Sequence, residues 1–192
     1  MINDKLINPA SITVVGGSDN LFKPGGRILK NIIDGKFKGE LYVLNPKRDS
    51  VQGVKSYRDI ASLPQTDLAF LAISSKYCFQ VVEKLLREKN TKAFIIISAG
   101  FSELGEEGKK LEDEIAGLIR SSGATLIGPN CIGVITPAYN GIFTTPVPRL
   151  DRRGCDLVSG SGATAVFIFE SAIPKGIKFS SVFSVGNSAV TG

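Results

Sequence analysis

The stretch Ile12-Thr-Val-Val-Gly-Gly-Ser-Asp-Asn-Leu-Phe-Lys-Pro-Gly-Gly26 decides how the rest of the chain is read. A short β-branched run, Ile12 to Val15, meets a Gly-Gly-Ser turn, and a loop carrying Lys23 leads into a helical pattern. β-branched residues favour strands, and glycine admits the backbone conformations a tight turn needs. A strand that feeds a glycine loop and then a helix opens a parallel α/β fold. The loop of such a unit is where a phosphate-bearing ligand sits.

The strand–loop–helix theme repeats along the chain. Ile28, Leu29, Ile32 and Ile33 fall at helical spacing, with Gly35 as a stop. A second strand, 40–44, ends at Asn45-Pro46-Lys47, and a short extended piece covers 54–57. The third strand, 67–73, is almost continuously apolar, as expected of a parallel strand buried on both faces. Tyr77, Val81, Val82, Leu85 and Leu86 mark an amphipathic helix, followed by a strand over 93–98. Leu111, Ile115, Leu118 and Ile119 mark the next helix, and a strand over 125–127 ends at Gly128-Pro129-Asn130-Cys131. This alternation predicts a Rossmann-like doubly wound parallel sheet over residues 1–135. Pro137, Pro146, Pro148 and the charged run 149–153 read as a linker, 136–153. Residues 154–192 then begin another α/β unit: a strand over 155–158, the loop Ser159-Gly-Ser-Gly162, a helix over 163–172 and a strand over 179–185. One such β-α-β piece has too little apolar surface to stand alone, so it reads either as the start of a second α/β domain cut short, the preferred reading, or as an appendage packed onto the first.

Composition narrows the class. The chain is 43% hydrophobic and 21% charged over 192 residues, as in ordinary globular proteins. No apolar run is long enough to span a bilayer and the start lacks the features of a secretory signal, so a cytoplasmic protein with no membrane partner is expected. The net charge of +5 comes from 23 dispersed basic residues without interleaved aromatics, which argues against nucleic acid and suits an anionic small ligand. Three cysteines without CxxC spacing suggest neither a disulfide framework nor a metal site. There is no histidine, which removes Ser–His and Cys–His dyads from this chain, and no catalytic residue is assigned.

At the expected carboxyl ends of the strands stand Gly16-Gly17-Ser18, Asn45-Pro46-Lys47, Ile73-Ser74-Ser75, Ala99-Gly100-Phe101 and Pro129-Asn130-Cys131. Ser18 offers a hydroxyl, and Lys23 and Lys47 offer charge to phosphates. Each piece alone also reads as a turn, a solvated lysine or, for Cys131, a small buried filler. Five successive strand ends of this kind together point to a nucleotide site. The loop is not GxGxxG, and the second strand lacks the terminal acid that would accept the ribose hydroxyls of NAD. Asn45-Pro46-Lys47-Arg48 favours an extra phosphate on the adenosine ribose. NADP and coenzyme A both carry one, and the residues leave the two open.

The segments 11–18, 39–46, 98–103 and 126–131, continuing through 157–163 and Gly186-Asn187, resemble the N-terminal coenzyme A-binding domain of ADP-forming acyl-CoA synthetases, relatives of the succinyl-CoA synthetase α subunit. The resemblance implies that Gly16, Gly17, Ser18 and Lys23 hold the phosphates of coenzyme A and that Asn45, Pro46 and Lys47 surround its adenosine end. Ile73 and Ser74 would line the channel, Gly100 and Glu103 would flank the pantetheine, and Asn130 with Cys131 would sit near the thiol. It further implies a second, flavodoxin-like domain and a phosphohistidine beyond this chain, with ATP, ADP and magnesium handled by other domains or an ATP-grasp β partner. Coenzyme A or acyl-CoA is the expected ligand, and a homo-oligomer is compatible with the family. Ser159-Gly160-Ser161-Gly162 and Val190 depart from the family's usual Ser-Gln-Ser-Gly and aspartate. Those departures and the missing histidine motivate one alternative, a coenzyme A-responsive regulatory module, for example of a fused protein acyltransferase. The other alternative is an NADP-binding oxidoreductase fragment.

Overall fold

The computed structural model describes residues 2–190; Met1, Thr191 and Gly192, the outermost residues of the two expected units, lie outside the described residues. The expected parallel sheet is present. Its strands are β1 (Ser11–Val15), β2 (Glu40–Leu44), β3 (Ser50–Val51), β4 (Val54–Tyr57), β5 (Leu68–Leu71), β6 (Ala93–Ile96) and β7 (Thr125–Ile127), in the order β3-β4-β2-β1-β5-β6-β7. All pairings are parallel except β3–β4, and the register brings Val15 level with both Leu44 and Leu71. β5 and β6 are buried at every position, which is why their sequences show no alternation.

Helices cover both faces. α2 (Pro24–Asp34) packs Ile28, Leu29 and Ile32 against Val14, Val43 and Phe70. On the opposite face, α3 (Cys78–Lys89) and α4 (Glu106–Ser122) bury Val82, Leu85, Ile115 and Ile119 against Leu71, Phe94 and Ile96. Each fully buried aliphatic side chain contributes about 1.5–3 kcal/mol relative to exposure, so two apolar layers hold the sheet between them. A four-residue helix, α1 (Asp4–Ile7), has no counterpart in the sequence expectation; its Leu6 is fully buried in the α2-side core.

The helix expected around Ile28, Leu29, Ile32 and Ile33 starts at Pro24, because proline is preorganised for the first helical position. The segment expected as a linker carries structure. After β8 (Gly133–Ile135), β9 (Asn140–Ile142) lies within residues 136–153, and β10 (Leu150–Ser159) begins there. These strands join β11 (Phe179–Ser184) in a second sheet ordered β10-β11-β8-β9, with β10–β11 parallel and the other pairs antiparallel. The prolines mark bends rather than a free connector. Non-local bonds do the fixing: the Tyr139 hydroxyl donates to the Leu6 carbonyl at 2.8 Å, and the buried Asn31 amide donates to the Ile142 carbonyl at 2.6 Å. α5 (Gly162–Ala172) packs Ala165 and Phe169 against Phe179 and Val182.

Candidate functional site

The sheet changes direction at β1, whose neighbours β2 and β5 lead to opposite edges, so a crevice opens above Val15 between the loops that follow. The chain leaves β1 through Gly16 at φ 82°, its N–H donating to the Leu44 carbonyl at 3.0 Å. No side chain fits there, since a Cβ would stand 2.5 Å from the Ala72 carbonyl oxygen and 2.9 Å from an Ile73 methyl. From the other side, a Cβ on Gly25 would collide with the Gly16 carbonyl, so the first turn of α2 lies directly against the loop.

α2 starts with Lys23 as its N-cap, no side chain bonded to its first N–H groups and no acid in its first turn. α5 differs: the Ser161 side chain accepts from the Thr164 N–H. The positive end of α2 therefore carries no anion of its own in that turn, and it faces the loop and exposed Lys23. Within the loop, the Ser18 hydroxyl accepts from the Asn20 N–H at 3.1 Å and the Asn20 side chain accepts from the Phe22 N–H at 2.9 Å. Asn45 ties this loop to the next one, donating to the Gly17 carbonyl at 2.9 Å and accepting from the Lys47 N–H at 2.9 Å.

A cavity of about 610 Å³ opens from Gly16 between these loops and α3. Its lining is apolar at Val15, Leu44, Ile60 and Ile73 and carries charge of both signs, Lys47, Arg58 and Lys84 with Asp59 and Glu88. That size and lining suit a drug-sized or nucleotide ligand. Arg58 bonds both oxygens of Asp49, at 2.9 and 3.1 Å, and its guanidinium holds that carboxyl below the ordinary carboxylate value. The charge of Arg58 is thus already matched within the protein.

A second cluster lies across β5 and β6. The Ser98 hydroxyl donates to the Ile73 carbonyl, and Gly100 abuts the Ser75 side chain. Glu103 accepts from the N–H groups of Gly100 and Phe101 through one oxygen and from the Asn187 amide at 2.7 Å through the other. The same amide lies 2.8 Å from a Glu112 oxygen and 3.0 Å from the Ser102 hydroxyl. Glu112, only 8% exposed, also accepts from the Ser102 N–H and hydroxyl. Partial burial pushes the Glu103 carboxyl up, but the hydrogen bonds from Asn187 and the backbone outweigh it and hold it below its ordinary value. The Asn187 loop is itself fixed to the end of β7, its N–H donating to the Pro129 carbonyl at 2.9 Å.

The family profile described as the CoA binding domain matches residues 10–137. The chain belongs to the CoA-binding domain family. It is 36% identical over 99% of its length to the ADP-forming 4-hydroxybutyrate–CoA ligase of Nitrosopumilus maritimus, of which it spans 27%. It is 35% identical over 97% of its length to the α subunit of ADP-forming acetate–CoA ligase II of Pyrococcus furiosus, of which it spans 40%. An apo structure of acetyl-coenzyme A synthetase 1 from Ca. Korarchaeum cryptofilum superposes with a TM-score of 0.88 at 31% identity, over 97% of this chain and 40% of that one. The chain therefore spans well under half the length of these relatives, and it is homologous to the α subunits of ADP-forming acyl-CoA synthetases.

Within this CoA-binding domain, Gly16, Asn45, Pro46, Lys47 and Ile73 line the cavity beside the β1 loop. Gly17, Ser18 and Lys23 form the adjoining loop and helix start, and Ser74 follows Ile73 along the same edge. Gly100, Glu103 and Asn130 belong to the second cluster, where the Asn130 amide meets the Asn187 side chain at 3.4 Å. Cys131 is the exception: its thiol turns into the core, 3% exposed, and donates to the Ile96 carbonyl at 3.3 Å. Burial pushes that thiol up to about 12, so it stays neutral and points away from the crevice. Asn187 went unassigned from sequence; it had a signal, the Gly186-Asn187 pair, but its targets Ser102 and Glu112 lie 85 and 75 residues away in sequence.

Proposed function

We propose that this chain is the coenzyme A-binding part of an ADP-forming acyl-CoA synthetase. The observation that supports this most directly is the Gly16–Ser18 loop, laid against the uncapped start of α2 and opening onto the cavity lined by Asn45, Lys47 and Ile73 in a CoA-binding family domain. In this reading the loop N–H groups, Ser18 and Lys23 meet the phosphates. Asn45, Pro46 and Lys47 enclose the adenosine end. Ile73 and Ser74 border the channel that leads past Gly100 and Glu103, and Asn130 stands near the thiol.

The reaction this part would serve joins an acid to coenzyme A with conversion of ATP to ADP and phosphate, through a phosphohistidine outside this chain. ATP, magnesium and an ATP-grasp partner belong to that remainder, as does the flavodoxin-like domain that residues 154–192 would begin. The acid is set elsewhere: relatives are named for 4-hydroxybutyrate and for acetate at nearly equal identity. The described residues contain no helix long and apolar enough to cross a membrane, and a cytoplasmic location is part of the proposal.

Calorimetric titration of the 192-residue chain with coenzyme A and with NADPH tests the reading. Coenzyme A should bind, and more tightly than NADPH; the reverse order, or no binding of coenzyme A, would sink it. Incubated with acetate, ATP, magnesium and coenzyme A, the chain alone should form no acyl-CoA, since it has no histidine to carry the phosphoryl group.

A further inference from the structure

We infer that Gln52 is a positioning residue of the coenzyme A site, a clamp that ties the loop after β1 to the first turn of α2; this rests on the reading just given. β3 and β4 are joined by Gln52-Gly53 with φ of 50° and 80°, a two-residue turn left-handed at both positions. Asn-Gly is the favoured sequence for such a turn, because asparagine tolerates the left-handed region far better than longer side chains. Local propensity therefore argues against glutamine at this position.

What glutamine supplies is reach. Its side-chain amide donates to the Ser18 carbonyl at 2.7 Å and to the Gly26 carbonyl at 2.8 Å, while its backbone N–H donates to the Asp19 carboxylate at 2.8 Å. Both amide hydrogens are thus committed to carbonyls on the two segments that form the proposed phosphate cradle. The Oε1 atom is buried and meets no donor among the described residues, a cost that glycine or an apolar side chain would avoid. Neither turn propensity nor burial accounts for the residue; the two carbonyls do. Asparagine, one methylene shorter, cannot span them from the same turn. Apart from Asn45, the side-chain bonds of the loop named above are local, Asn20 to Ser18 and Phe22 to Asn20, and do not anchor it to α2. Without the clamp only a fraction of molecules hold the cradle formed, and apparent affinity falls by that fraction.

The variants Gln52→Asn and Gln52→Gly, made in the 192-residue chain, separate a clamp from a merely structural role. Both relieve the turn, which offsets part of the two lost bonds, so the thermal midpoint should fall by only a few degrees. Affinity for coenzyme A should weaken about tenfold, the effect of two net hydrogen bonds' worth of lost loop order. In the free protein, amide exchange over residues 17–22 should accelerate. Variants that match the wild type in both affinity and loop exchange overturn the clamp. So do variants whose thermal midpoint drops steeply while exchange over residues 17–22 stays as in the wild type, because Gln52 would then be serving the fold at large and not the loop. A wild-type chain that fails to bind coenzyme A overturns the reading beneath the proposal, and loop exchange still decides the clamp in that case.

Discussion

At the residue scale, two glycines in one chain call for opposite outcomes on the same substitution. Gly16 is left-handed and faces the backbone of Ala72, so Gly16→Ala combines torsional strain with a contact that cannot relax through a side chain. The expected loss is about 1–3 kcal/mol of stability together with coenzyme A binding. Gly117 lies within α4, exposed and with nothing within 4 Å of where a methyl would sit, so Gly117→Ala should stabilise by about 0.5–1 kcal/mol and leave binding unchanged. Chemical denaturation of the pair checks both signs. The thiols divide in the same way. Burial pushes Cys78 and Cys131 up to about 12, while Cys155 is exposed. A thiol reagent on the native chain should therefore modify Cys155 alone, and prior saturation with coenzyme A should not alter that. Rapid labelling of Cys131 would show that the end of β7 opens. Glycine at position 16 was legible in the sequence because a strand followed by Gly-Gly-Ser leaves few alternatives. The inward turn of Cys131 was not, since a cysteine after a strand is equally at home as a ligand contact or as filler.

Elements carry the coupling between the two sheets. The loop after β11 is held to the turn at Ser102–Leu104 and to α4 through Asn187, whose amide bridges Glu103 and Glu112. Because the folded Glu103 carboxyl is held below its ordinary value, its contribution to docking is fully present above about pH 4.5, the usual glutamate value, and is lost as pH falls through the lower folded value. Protection of the Asn187 and Ala189 amides, whose N–H groups bond Pro129 and Gly128, should thus fall on acidification below that range once rates are referred to the intrinsic exchange rate at each pH. Asn187→Ala should show the lowered protection already at neutral pH; equal rates in the two proteins would remove Asn187 from the role. This contact explains where sequence reading stopped. The strands β1, β2, β5, β6 and β7 were visible because each is a short, largely apolar run ended by a turn signal such as Gly-Gly-Ser, Asn-Pro or Gly-Pro. β9 was hidden, since Asn140-Gly-Ile142 has no pattern of its own and exists as a strand through pairing with β8 and through Asn31 on α2. The start of α2 was displaced in the reading because Gly25 and Gly26 discount helix by propensity, although close packing on the loop is what requires a glycine at Gly25.

On the scale of the whole molecule, the N-terminal sheet is covered on both faces and the C-terminal one is not. α5 is apolar nearly all round, a composition that belongs inside a protein, yet Phe167 is 68% exposed and Val158 on β10 is 65% exposed. Ile173 and Ile177 continue the same exposure beyond the helix. The inner stripe is engaged, with Phe169 edge-on to Phe179 at 5.5 Å between ring centroids. Among the described residues, nothing covers this apolar surface as helices cover both faces of the N-terminal sheet. Apolar surface of this kind drives association in water. The double variant Phe167→Glu, Ile177→Lys should therefore bind less hydrophobic dye and stay monodisperse at higher concentration than the wild type, as read by light scattering. Since Phe167 is mostly exposed and Ile177 about half exposed, stability should fall by no more than about 1 kcal/mol, and coenzyme A affinity should not move, because the cavity beside Gly16 is formed by the other sheet. A loss as large as that of a core truncation would mean that these residues pack in solution, and the view of α5 as half covered would fall with it.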